Sequence, residues 1–229
     1  MIVLALDTCL GACSVAAVAD GRVLASASEA MTRGHQERLA VMAREVMAEA
    51  GAGFAAIDRI GVTVGPGSFT GLRVGVAFAK GLALALGKPC VGVGTLEALA
   101  ASAAADRARA AAIDSGRGQI YLQAFDADGP LDEPAVMPIE AAQALVADLG
   151  GGLLIGPGVA LLGEIQGFDA IPLAAPDAAA VARLAAAAPD TASSTPIYLR
   201  PADATPPKPK PPRPPQPRPR SRPAPGEGA

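Results

Sequence analysis

Apolar and polar positions along the first hundred residues fall into short blocks with two different periods. IVLAL (Ile2–Leu6) is a continuous apolar run of buried-strand length, and CSVAAVA (Cys13–Ala19) and RVLASAS (Arg22–Ser28) follow as further strands. Asp20-Gly21 stands between the last two as a two-residue hairpin turn. From Thr32 to Ala50 the period changes: Leu39, Met42, Ala43, Val46, Met47 and Ala50 recur at helical spacing, with the charged residues largely on other faces and Gly51 as the stop. RIGVTV then reads as a strand, VGPGSFTG as a turn, LRVGVAFAKGLALAL as a helix, and CVGVG, after Pro89, as another strand. The predicted order is β-β-β-α-β-α-β.

The second half repeats this order. LALDTCLGACSVAAV (Leu4–Val18) aligns with AAIDSGRGQIYLQAF (Ala111–Phe125): an apolar run, Asp7 or Asp114, Thr8 or Ser115, then Gly11 or Gly118 four residues after the aspartate. A turn signal follows in each copy, Asp20-Gly21 and Asp128-Gly129. GVTVGPG (Gly61–Gly67) likewise matches GLLIGPG (Gly152–Gly158). Three landmarks in the same order predict two lobes grown from one βββαβα unit, an α/β fold with lobes at 1–105 and 106–200.

Composition sharpens this picture in three ways. The 229-residue chain is 51% apolar but only 3% aromatic, so its core must be filled by alanine and branched side chains, which suits close packing of helices on sheets. The apolar start MIVLAL is cut short by Asp7 and has no basic segment before it, which predicts neither signal peptide nor membrane span and a cytosolic location. Cys9, Cys13 and Cys90 are an odd number without a CxxC pair, which argues against a disulfide framework or zinc site and for buried small apolar residues. Beyond Arg200 proline occupies nearly every second position, and 201–229 is expected to be an extended, disordered tail. Six Lys/Arg against Asp203 and Glu227 give the tail a net charge of +4; since the chain totals −3, residues 1–200 carry −7. Such a tail could meet RNA, an acidic partner or the body itself, or could serve as a solubilising extension.

The first loop of each lobe places a carboxylate and a hydroxyl between antiparallel strands. Asp7 or Asp114 could hold a magnesium water, and Thr8, Gly65 and Gly67 could face a phosphate, because Gly-Pro-Gly ends a strand at a helix N-terminus. The same residues also serve as ordinary hairpin caps and turn glycines, and both readings stand. VGPGSFTGLRVG is not a P-loop, since Leu72 and Arg73 follow Gly71 where Lys and Ser/Thr are required, and its G-x-G-x-x-x-G spacing is one residue too long for a dinucleotide fingerprint. Ser68 or Thr70 can cap the following helix, and Gly71, Gly75 and Gly81 open a groove on it. Arg73 in the first turn opposes the helix dipole and is expected to have an acidic partner or ligand. His35 is the sole histidine and position 39 is leucine, so neither a helical metal pair nor a histidine-dependent nucleophile can be assembled.

ALDTCLGACSVAA, RGHQERL, VGPGSFTGLRVG, AIDSGRGQIYLQAF and PIYLRP together resemble, over residues 1–200, the bacterial TsaB (YeaZ) family. The resemblance implies two RNase-H-like lobes of the acetate kinase, sugar kinase, heat-shock chaperone and actin class, with mixed sheets flanked by helices. It implies a role in forming threonylcarbamoyladenosine in tRNA as the non-catalytic partner of the TsaD transferase, which carries a helix-borne histidine pair where this chain has His35 and Leu39. A TsaE-like ATPase would join the complex, a TsaC-like synthase would supply the adenylate, and tRNA would be met through the complex. The family's heterodimer packs first-lobe helices together, which nominates His35, Leu39, Met42, Val46, Ser68, Thr70, Gly71, Arg73 and Gly75 as interface residues. No catalytic residue, no metal ligand and no tightly bound cofactor follow, with ATP or ADP and magnesium at the complex interface, and weak ATPase activity, left open. Two other readings are a small-molecule kinase or peptidase of the same fold, and a nucleotide-binding regulator that homodimerises through the same helices.

Overall fold

The computed structural model describes residues 1–103 and 106–200; the tail expected at 201–229 lies outside them. The first three strands, β1 (Ile2–Asp7), β2 (Ala12–Ala19) and β3 (Arg22–Ala30), form an antiparallel meander. Asp20 and Gly21 both have positive φ, 48° and 80°, as a type I′ turn requires, so the Asp-Gly signal acts here as predicted. Helix α1 (His35–Glu49) begins three residues later than the Thr32 start read from sequence, because Gly34 takes up a left-handed φ of 88° and breaks the pattern ahead of His35. Strand β4 (Arg59–Thr63), helix α2 (Phe69–Leu86) and strand β5 (Cys90–Val93) complete a sheet of order β3-β2-β1-β4-β5.

The second sheet repeats the first. Strands β6 (Arg109–Gly116), β7 (Gln119–Phe125), β8 (Ala135–Pro138), β9 (Gly152–Ile155) and β10 (Phe168–Ile171) run in the order β10-β9-β6-β7-β8. β6 pairs antiparallel with β7 and parallel with β9, just as β1 does with β2 and β4. Helices α4 (Ile139–Asp148) and α5 (Val159–Leu162) occupy the places of α1 and α2. The copies differ most at α2: eighteen residues in the first lobe, four in the second.

Two helices exchange lobes. α3 (Thr95–Ala101), which follows the first sheet, packs through Leu96, Leu99 and Ala100 on Ala111, Ile113 and Ile155 of the second. α6 (Ala178–Ala187), which follows the second sheet, packs through Ala178, Val181, Ala182 and Ala185 on Val3, Ala5, Ala16 and Val91 of the first. Each sheet is thus covered on both faces, and a cut at residue 105 would separate α6 from the sheet it covers. The alanine-rich composition has its use here: a Cβ on Gly61 of β4 would lie 2.7 Å from the Ala185 Cβ, so α6 can approach only because both sides are small. The Arg59 guanidinium donates to the Ala186 and Ala188 carbonyls at 3.1 and 2.7 Å, satisfying the C-terminal end of α6 with a cation where the dipole favours one.

On the opposite face of the first sheet, Leu4, Leu6, Val15, Ile60 and Val62 meet Leu39, Met42, Val46 and Met47 of α1 and Val76, Ala79 and Ala83 of α2. Fully burying a side chain of this size contributes about 1.5–3 kcal/mol. Among the described residues α2 is the one helix with the length and apolarity of a membrane span, yet one of its faces is packed on β4 and the loop after β1. The three cysteines are unpaired; Cys9 and Cys13 are buried as expected, whereas Cys90 is half-buried.

Candidate functional site

The end of β1 and the loop after it carry Asp7, Thr8 and Cys9, and all three are buried. Asp7 Oδ1 accepts from Thr63 Oγ1 at 2.6 Å and from the Cys9 amide at 3.1 Å, while Oδ2 has no partner among the described residues. The Thr8 hydroxyl donates to the Gly71 carbonyl at 2.7 Å, and the Ser68 amide donates to the Cys9 carbonyl at 2.8 Å. A Cβ on Gly71 would stand 2.0 Å from the Thr8 carbonyl oxygen, and one on Gly67 2.5 Å from that of Cys9. The N-terminal turn of α2 is therefore laid directly on this loop. The groups read as phosphate-facing, Asp7, Thr8, Gly65 and Gly67, are turned to their own lobe: Thr8 is bonded to α2, and Gly65, at a φ of 109°, lies against the Ile197 carbonyl.

Burial raises the Asp7 carboxyl above its ordinary range, against the lowering effect of the Thr63 and Cys9 hydrogen bonds and of His35. A raised folded-state pKa means that the native state favours the proton, so this stabilisation is whole below the unfolded value and is lost as pH rises through the folded one. Asp7→Asn keeps an acceptor for Thr63 and Cys9 but removes the buried charge. Its Tm is expected to exceed the parent's at pH 8, by about 2–4 °C for each kcal/mol recovered, and the gap should close toward pH 4. A gap independent of pH would contradict the desolvation account.

The second copy of the loop has a different character. Asp114 is exposed, and its Oδ1 accepts from the Gly116 amide at 2.6 Å, the bond of a turn-forming aspartate. Arg200 donates to the Ser115 carbonyl at 2.8 Å and to Gln119 Oε1, tying the end of the described chain to the β6–β7 hairpin. Among the described residues no three His, Cys, Asp or Glu side chains cluster as a metal would require.

The exposed side of α2 is the more unusual surface. Phe69, Arg73, Ala77, Gly81 and Ala85 follow one another at i, i+4 spacing and are all exposed, and Leu84 beside them is 85% exposed. Apart from the helix's own backbone, no atom of the described residues lies within 4 Å of where a Gly81 Cβ would be. Between α1 and α2 runs an apolar groove of about 490 Å³, floored by Leu39, Val74 and Phe78 and rimmed by Gln36, Phe69 and Arg73. Among the described residues Arg73 has no acidic partner of the kind expected from its place at a helix N-terminus: its guanidinium stacks 3.7 Å above the Phe69 ring, and its Nε lies 3.4 Å from the Tyr198 hydroxyl. Tyr198 packs on Phe69 with ring centroids 5.6 Å apart, and the neighbouring Ile197 amide donates to the Val64 carbonyl at 2.7 Å. Residues Pro189–Arg200 thus form a strap that carries an aromatic ring to the rim of the groove.

The structure divides the nominated interface residues into two sets. Ser68, Thr70 and Arg73 are at the surface, with Ser68 as the N-cap of α2, its Oγ accepting from the Gly71 amide at 3.3 Å. Leu39, Met42 and Val46 are at most 1% exposed and belong to the core under the first sheet, Leu39 alone also reaching the groove floor. Gly71 and Gly75 face Thr8 rather than solvent, and His35 is buried with Nε2 unpartnered among the described residues. The close approach read from the glycines is real, but the backbone they admit is the chain's own. The exposed face also carries Phe69, Ala77, Leu84 and Tyr198, which helical period does not single out; the sequence signal for them is Phe69 and Tyr198 themselves, two of only seven aromatic residues, five Phe and two Tyr.

Comparison with known proteins places this geometry. The family model described as TsaD, tRNA N6-adenosine threonylcarbamoyltransferase, matches residues 23–144. The tRNA threonylcarbamoyladenosine biosynthesis protein TsaB of Escherichia coli K12 is 39% identical over 132 residues, 56% of each chain. Its Haemophilus influenzae namesake is 38% identical over 126 residues, 53% of this chain and 52% of that one, so the matched part spans about half the length of these curated relatives. A solved structure from Pseudomonas aeruginosa, an uncharacterized protein described as similar to peptidase YEAZ, superposes with a TM-score of 0.76 at 32% identity, covering 87% of this chain and 99% of its own. With two mixed sheets flanked by helices, the two-lobed RNase-H-like class expected from the repeat, and these matches, the chain belongs to the TsaB (YeaZ) family.

Proposed function

We propose that this protein is the non-catalytic subunit of a machinery that forms threonylcarbamoyladenosine in tRNA, and that its α1–α2 face docks a TsaD-type transferase. The observation that carries the reading is the contrast between the two candidate sites. The inner loop at Asp7–Cys9 is packed against α2, while the outer side of α2 leaves Phe69 half exposed and Leu84 and a ridge of small residues uncovered. An apolar helix face with small residues in its middle suits close packing of a second helix pair. The names of the E. coli and H. influenzae relatives supply the pathway. In this reading the TsaE-like ATPase, the TsaC-like synthase and tRNA are reached through the complex, and a nucleotide with magnesium would bind where the two subunits meet rather than inside this chain.

Depletion of the protein in its own host tests the role. Threonylcarbamoyladenosine in hydrolysed tRNA is expected to fall at least severalfold and to return when the gene is restored. Unchanged modification after depletion would contradict the proposal and leave a kinase or a homodimeric regulator to be sought.

A further inference from the structure

A polar pocket of about 390 Å³ opens where α1 and α2 begin, with Arg33, Gly34, His35 and Glu37 on one side and Ser68 and Thr70 on the other. It adjoins the apolar groove and shares Gln36, Thr70 and Val74 with it. The first amides of an α-helix have no partner inside the helix. No side chain caps α1, whose N-cap is Gly34, and Ser68 Oγ accepts from the Gly71 amide of α2. The His35, Gln36 and Glu37 amides of α1 and the Phe69 and Thr70 amides of α2 are left without a partner among the described residues. Two positive dipole ends and their free donors thus meet at one pocket, an arrangement that favours an anion.

The side chains point the same way. His35 forms part of the pocket wall while only 9% exposed, and its Nε2 has no hydrogen-bond partner among the described residues. A buried polar atom in that state costs stability unless a ligand satisfies it. Arg33 is exposed and in no ion pair among the described residues. Glu37 is the one carboxylate among the described residues that line the pocket; its Oε2 lies 3.9 Å from where a Gly34 Cβ would be, and it makes no hydrogen bond among them. Charge then narrows the ligand. Residues 1–200 carry −7, which repels a free, highly charged anion, whereas a monoanionic carboxylate suits one arginine offset by one glutamate. A carboxylate carried on a docked protein would also arrive at high effective concentration.

We propose that this pocket is a carboxylate site, with Arg33, the free helix amides and the Thr70 hydroxyl as donors and the His35 ring as its wall. Because the pocket continues the face assigned above to a TsaD-type partner, the carboxylate is that of an acidic side chain on the partner; this source rests on the docking proposal, while the pocket itself does not.

The test titrates the full chain with sodium acetate at constant pH and ionic strength, with sodium chloride as the reference. His35 is the sole histidine, so its ring nitrogens give NMR signals that need no further assignment. Acetate is expected to shift these signals and the Gln36 and Thr70 amides saturably. Arg33→Gln should weaken acetate about tenfold, and Glu37→Gln, which removes a competing charge, should tighten it about threefold. The same two changes should move affinity for the purified transferase in the same opposite directions. Saturable shifts with unchanged transferase affinity would uphold the pocket, assign it to a free carboxylate and leave the docking face to its own test by Leu84→Glu. Shifts no larger than those from chloride would overturn the pocket whether or not the transferase binds. Inorganic phosphate bound more tightly than acetate would overturn the choice of a carboxylate.

Discussion

Gly71→Ala is expected to destabilise the protein strongly, whereas Gly81→Ala, ten residues along the same helix, is expected to stabilise it. At position 71 the new methyl group would lie 2.0 Å from the Thr8 carbonyl oxygen, a backbone atom that cannot rotate away. Relief requires α2 to lift from the β1 loop, which breaks the Thr8 Oγ1 to Gly71 O and Ser68 N to Cys9 O bonds and opens the core under Leu72 and Val76. Losses of this kind sum to about 3 kcal/mol or more. At Gly81 the methyl meets no atom within 4 Å, and alanine is favoured over glycine inside an exposed helix by about 0.5–1 kcal/mol. Urea unfolding of the two variants beside the parent checks both signs. A soluble Gly71→Ala protein of parental stability would show that the β1 loop and α2 do not pack as described.

The second large effect concerns association. Leu84→Glu and Gly81→Leu change residues that make no contribution to the core, so both proteins should unfold near the parent's midpoint. On the proposed docking face the first would place a charge against an apolar partner surface and the second would fill the gap through which a helix would approach. Losses at central interface positions commonly exceed 2 kcal/mol, about 30-fold in Kd. Phe69→Ala removes the ring that Arg73 and Tyr198 share and is expected to weaken docking comparably. Gly75→Leu, by contrast, is no test of docking: its side chain would enter the space of Thr8 Oγ1, 2.5 Å from the Cβ position, and damage the lobe itself.

Much of the fold could be read from spacing, because strands and turns are specified locally. Asp-Gly with two positive φ angles sets the β2–β3 register, and the paired Asp and Gly-Pro-Gly landmarks announce a duplicated sheet order. Other features depend on information that a local pattern does not carry. Seven of the ten residues of helix α6 are alanine, so its sequence says that it is buried without saying on which sheet; its exchange with α3 is decided by tertiary fit against Gly61 and Ala5. The same limit explains why several nominated interface residues turn out to be buried in their own lobe. Leu39, Met42 and Val46 were selected by their helical period, and a period of apolar residues reports the stripe that faces the helix's own sheet. A docking face lies on the other side, where isolated residues such as Leu84 break the polar pattern and small ones such as Ala77 and Gly81 look unremarkable. Gly71 and Gly75 did mark a close approach, but spacing alone does not distinguish a neighbouring subunit from the loop at Thr8.

On the proposal above, the outer face of α2, and not the loop at Asp7, is the working surface of this protein. Calorimetric titration of the full chain and its Leu84→Glu variant with the purified TsaD-type protein tests it most directly. A one-to-one complex for the parent, weakened about 30-fold or more in the variant at equal thermal stability, is the predicted result. Equal affinity of the two proteins for the transferase would contradict it.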